Sequence, residues 1–133
     1  MKSKLRQITV NHCVFSWRYQ PHRRYQHTQN VSRLLIFNHE NNICIEVFFH
    51  IEASWTGGNP LNEGIPVIKN GQREILNLNK PKFIAELLML ILNSYESHQL
   101  TKLVIKDGNR LISQAGYLEA HEEYLHPSFR HIK

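Results

Sequence analysis

The sequence predicts an α+β domain: an antiparallel sheet of four to six strands, one long helix packed on one face, and a small C-terminal strand–helix unit. Three observations predict it. Residues 13–20 and 43–52 alternate large apolar and polar side chains with a period of two, as half-buried strands do. FIAELLMLIL, from residue 83, is apolar around much of a helical circumference. The 133 residues are 41% hydrophobic and 20% charged, enough to bury one core and too little charge for a disordered chain.

The elements follow in order. RQITVNH and CVFSWRYQ read as two strands around Asn11-His12, with Phe15, Trp17 and Tyr19 on one face of the second. PHRRYQHTQNV, residues 21–31, is polar and opens on Pro, so it reads as a loop. SRLLIFN and ICIEVFFHIE pair as a hairpin through the short turn HENN, with Ile43, Ile45, Val47, Phe49 and Ile51 facing the core. A one-residue slip would expose all five, so the register is set. Residues 53–79 open on a Gly- and Pro-containing stretch without a period. They then give IPVIK and QREILNL around Asn70-Gly71, a pair suited to a type I′ turn.

Asn79 is placed to cap a helix from Pro81 to about Ser97, with Glu86, Asn93 and Glu96 toward water. TKLVIK reads as a short strand, and NRLISQAGY as a short helix stopped at Gly116. The reading gives one domain over 1–133, with a tail from about residue 118 that is docked or loose.

Several functional classes are excluded by size and pattern. The chain is too short for a barrel of eight strand–helix units, which needs roughly 200 residues. It has no 18-residue apolar run to span a bilayer. No apolar block follows the basic start MKSKLRQITVNH, so a cytoplasmic protein is expected, with no membrane partner. Walker and GxGxxG phosphate loops, a GxSxG elbow and a CxxC pair are all missing from the sequence.

The charge layout is informative. Before Glu40 there is no acidic residue, while Lys2, Lys4, Arg6, Arg18, Arg23, Arg24 and Arg33 give +7; the remainder carries nine cations and eleven anions, −2, for the total of +5. Such asymmetry suits an acidic protein partner, nucleic acid or an anionic surface, and equally a basic face that only keeps the protein dissolved. The strongest partner signal is SWRYQPHRRYQH, residues 16–27. Arg18, His22, Arg23, Arg24, Tyr25 and His27, with Trp55 from the later loop, form the candidate partner-binding set. Arg, Tyr and Trp dominate protein hot spots, and the same residues grip phosphates and stack bases.

Two stretches carry a resemblance: ITVNHCVFSWRY, and LNLNKPKFIAELLMLIL followed by KLVIKDGNRLISQAGY. Together they resemble small uncharacterised bacterial proteins with a strand meander and one long buried helix, some of which sit beside toxin genes as immunity partners. The resemblance implies a protein that covers another protein's active site and brings no catalytic residue. Many immunity proteins are acidic; a basic one implies a target with an acidic site.

Candidate chemistry is thin. His121-Glu122 and His126 miss the HExxH zinc spacing, since i+5 turns the second imidazole about 140° around a helix. Cys13 and Cys44, in strand-like runs, read as small buried side chains. Glu46, His50 and Glu52 share one strand face and are the residues an acid–base or ligand site would use, although charged residues are ordinary on an outward sheet face. Asp107 is the chain's one aspartate, which leaves little for a two-metal centre. No catalytic residue, metal or cofactor is assigned. The expected function is non-enzymatic protein binding, with nucleic-acid binding as the alternative and a small-ligand or enzymatic role as the third.

Overall fold

The structure, a computed structural model, describes residues 5–25, 28–50, 61 and 64–119, with the side chains of 22–30 and 119 outside that description. It is α+β. Strands β1 (Arg6–Val10), β2 (Cys13–Tyr25), β3 (Thr28–Asn38) and β4 (Ile43–His50) form an antiparallel meander. β5 (Ile65–Lys69) and β6 (Gln72–Leu76) form a hairpin. Helix α1 (Pro81–Ser94), a 3-10 helix (Ser97–Lys102), β7 (Leu103–Ile105), helix α2 (Gly108–Gln114) and β8 (Leu118–Glu119) follow.

The main sheet has the order β1-β2-β3-β4-β7, and β6-β5-β8 is a second, three-stranded sheet. Two particulars differ from the expected single antiparallel sheet. β7 pairs parallel to β4, because the chain returns from α1 through a crossover rather than a hairpin. The Asn-Gly hairpin forms its own sheet with β8 instead of extending the meander.

The strand faces follow the sequence alternation. Phe15, Trp17 and Tyr19 are buried, as are Leu34 and Ile36 on β3 and Ile45, Val47 and Phe49 on β4. They share one core with Phe83, Ile84, Leu87, Leu88 and Ile91 of α1, and with residues of the second sheet and α2. The turns obey their residues. Asn11 and His12 (φ 52° and 65°) and Asn70 and Gly71 (φ 54° and 76°) supply the two left-handed positions of type I′ hairpins.

Residues 21–31 are not a loop. β2 continues to Tyr25 and β3 begins at Thr28, paired through Arg23↔Val31 and Tyr25↔Thr28. Pro21 is tolerated for a physical reason. Among the described residues β1 pairs β2 only as far as Trp17, and the register breaks between Gln20 and Arg23. A break in the ladder is where a residue without an N–H fits.

Helix α1 starts at Pro81 as expected, but Lys80 and not Asn79 is its N-cap, and no side chain caps it. The Asn79 backbone N–H is taken by Asn77 Oδ1 at 2.8 Å. The helix ends at Ser94, and Glu96 and Gln99 close a capping box on the 3-10 helix that follows. Glu86 does not face open water. Lys69 of β5 donates to its carboxylate at 2.5 Å, the Tyr117 hydroxyl donates to the other oxygen, and Lys69 Nζ lies 4.5 Å from the Tyr117 ring centre.

α2 is held against β4 by two residues. Asn109 accepts from the His50 N–H (2.8 Å) and donates to the His50 carbonyl (3.0 Å), taking the place of a strand partner. Gly108 lets the backbone approach the core: a Cβ there would stand 2.6 Å from the Phe49 ring and 2.7 Å from Val47. Replacing Gly108 by Ala should destabilise the fold by about 1–3 kcal/mol through overpacking. Thermal unfolding of G108A checks it, with an unchanged midpoint the contrary result.

Candidate binding surface

The β2–β3 hairpin outruns its neighbours. β1 covers β2 only from Cys13 to Trp17, and β4 pairs with β3 from Asn38 back to Val31. Beyond the Arg23↔Val31 pair, Arg24–Tyr25 and Thr28–Asn30 continue through Tyr25↔Thr28, so among the described residues this end of the sheet is a short two-stranded ribbon. The backbone of His22, Arg23, Arg24 and Tyr25 lies on β2 in that ribbon, while their side chains, and all of His27 and Trp55, lie outside the described residues.

At the ribbon's base the outer face of the sheet carries a charged cluster. Arg33 donates from Nε to Gln20 Oε1 and from Nη1 to Glu46 Oε2, each at 2.8 Å. Gln20 is its direct cross-strand partner, whereas Glu46 lies on the diagonal, opposite Leu35. The Arg33 side chain is 14% exposed, so these bonds are shielded and its charge is matched. Arg18 also sits opposite Leu35. Its Nε is buried without a hydrogen-bond partner, and it makes no ion pair among the described residues. Two guanidinium groups therefore stand on one face in different states: Arg33 is paired with a carboxylate, and Arg18 has none among the described residues.

Of the sequence-selected set, Arg18 alone has a described side chain. Gln20 and Arg33 lie outside that set, and Glu46 enters the sequence reading only as an acid–base candidate, because their association depends on strand pairing. A β2–β3 ribbon reading of residues 21–31 would have aligned Gln20 with Arg33.

Glu46 and His50 share a face but do not meet. They are four residues apart on one strand, about 13 Å at strand rise, with buried Phe48 between them. Glu46 is engaged by Arg33, and His50 Nε2 lies 2.9 Å from the Lys106 carbonyl oxygen. Glu52 lies outside the described residues. The cysteines differ from the buried pair expected: Cys13 is half-buried and Cys44 exposed. Cys44 stands on the outward face of β4 opposite Phe37, beyond the cover of α1.

Among the described residues no group of three or more His, Cys, Asp or Glu is placed to hold a metal. His121 and His126 lie outside them. Also among the described residues, no helix is long and apolar enough to cross a membrane. Searches against family models, curated proteins and solved structures find no match to this chain.

Proposed function

We propose that this chain is a non-enzymatic protein-binding module that engages an acidic surface with Arg18 and the basic β2–β3 ribbon, covering a partner's active site in the manner of an immunity or antitoxin protein. The observation that carries this reading is the contrast between Arg33, neutralised by Glu46, and Arg18, whose guanidinium has no acidic partner among the described residues. A half-buried arginine beside apolar Leu35 has lost much of its hydration. A partner carboxylate restores its hydrogen bonds as a charge-assisted pair. Arg23 and Arg24 add unopposed positive charge in sequence on the same hairpin, which steers an acidic partner on approach.

The test is a tagged pull-down from the native host with and without nuclease, followed by affinity measurement on variants. A stoichiometric protein that survives nuclease is expected. Arg18→Glu should weaken it at least about 30-fold, as loss of a hot spot worth about 2 kcal/mol requires. Arg23→Glu with Arg24→Glu should abolish binding while circular dichroism stays unchanged. Equal affinity of all variants would refute the surface.

The ribbon itself favours a second reading, nucleic-acid binding, because a two-stranded β-ribbon fits the major groove of a duplex. That reading requires nucleic acid in the eluate and affinity that falls steeply with salt. Removing both ribbon arginines should then reduce the slope of log K against log salt by about 2.

A further inference from the structure

At the end of the main sheet opposite the ribbon, the β1–β2 turn, the β3–β4 turn, the C-terminal end of α1 and the 3-10 helix enclose a cleft of about 410 Å³. That volume lies within the range of small-molecule sites. Its floor is apolar: Val10, Phe15 and Leu100 are buried core residues, and Ile43 and Leu92 pack beside them half-buried. Its rim is polar but uncharged, formed by Asn11, Asn41, Tyr95 and Ser97. No Lys, Arg, His, Asp or Glu lines it among the described residues, in a chain whose net charge is +5.

Two details of the rim narrow the ligand. Asn41 gives one N–H of Nδ2 to Cys13 Sγ, 3.7 Å away, and keeps its side-chain oxygen as an acceptor. α1 has no basic residue in its last turn, and its C-cap N–H, from Tyr95, returns only to the Ile91 carbonyl. The last turn of a helix presents carbonyl groups without intrahelical donors and the negative end of the helix dipole. Such a rim welcomes N–H donors and opposes a carboxylate. An uncharged apolar floor opposes any unpaired charge.

We infer that this cleft binds a neutral aromatic ring bearing an N–H donor, an aromatic carboxamide being the simplest form. The site is separate from the ribbon and does not rest on the protein-binding reading.

Benzamide and benzoate are isosteric probes that differ in charge. Alkylation of Cys13 by iodoacetamide, followed by mass spectrometry, reads occupancy, because Cys13 lines the cleft. Cys44 is exposed, does not line the cleft and serves as the internal control. Benzamide should slow Cys13 alkylation saturably, by about twofold or more, at the low-millimolar concentrations a ligand of this size needs. The Cys44 rate should stay constant, and benzoate, whose charge the helix end opposes, should require about tenfold more. Leu92→Trp should fill the cleft and abolish the response. Ser97→Phe, at an exposed rim position, does the same without touching the core. Unchanged Cys13 alkylation up to about 20 mM benzamide, equal protection by benzoate, or full protection in a folded Ser97→Phe protein would each overturn the assignment.

Discussion

Truncating Trp17 to Ala should cost about 3–5 kcal/mol, enough to unfold a marginal domain of this size at room temperature. Trp17 is 1% exposed at the centre of the main sheet. It lies between Arg6 and Ile36 in the cross-strand register, with the Arg6 guanidinium 4.7 Å from its ring centre. Arg6 also donates to the Asn79 carbonyl, so the side chain that covers the indole joins β1 to the start of α1. The alanine variant therefore opens a large cavity and removes the surface on which Arg6 rests. Trp17→Phe distinguishes packing from polar contact. The indole Nε1 is buried without a hydrogen-bond partner among the described residues. Removing that donor relieves an unsatisfied group while most of the ring volume is kept. Urea denaturation should place the Phe variant within about 1.5 kcal/mol of the native protein. A Phe variant as unstable as the Ala variant would show that the N–H is bonded after all.

Replacing Glu86 by Ala should cost about 2 kcal/mol, because one carboxylate accepts from both Lys69 and Tyr117 and joins the second sheet and the chain after α2 to helix α1. The same cluster sets the pH dependence of stability. Burial pushes the Glu86 carboxyl up, but the hydrogen bonds from Lys69 and Tyr117 and the charges of Lys69 and Lys82 outweigh it, leaving its pKa below the ordinary 4.5. A group lowered on folding contributes fully above its unfolded pKa and loses that contribution as pH falls through the folded one. The Tyr117 hydroxyl moves the other way. Burial first, then its hydrogen bond to Glu86 and the negative charges of Glu86 and Glu74, raise it above the ordinary 10.0. Its contribution is complete below that value and is lost as pH rises past it. Stability should decline below about pH 4.5 and again above about pH 10, and Glu86→Ala should flatten both limbs. Melting temperatures from pH 3 to 11 for the two proteins check this; parallel curves would remove Glu86 from the account.

Much of the fold was legible because it is local. The alternation in 13–20 and 43–52 assigns inward and outward faces, since a pleated strand leaves no other choice. Asn70-Gly71 fixes a type I′ hairpin, and Pro81 marks the first turn of α1. Residues 21–31 misled because Pro and a polar composition describe both a loop and a strand with a free edge. Which of the two forms depends on whether a neighbouring strand needs the missing N–H, and that neighbour, β1, ends at a residue paired with Trp17. Glu86 misled for a related reason. Its helical position points away from the main core, but the second sheet occupies that side.

The candidate surface divides the same way. Its basic, aromatic composition can be read directly from residues 16–27. The neutralisation of Arg33, and the lack of an acidic partner for Arg18 among the described residues, cannot, because Gln20, Arg33 and Glu46 meet only through cross-strand and diagonal register. The sequence by itself determined the periodicities, the turns and the charge asymmetry, all properties of neighbours along the chain. Among the described residues the tertiary structure alone decided which charges are matched, how far β1 covers β2 and which end of the sheet holds a cleft lined by uncharged residues. Those depend on distances between residues far apart in sequence, which hydrophobic burial sets collectively and no local pattern encodes.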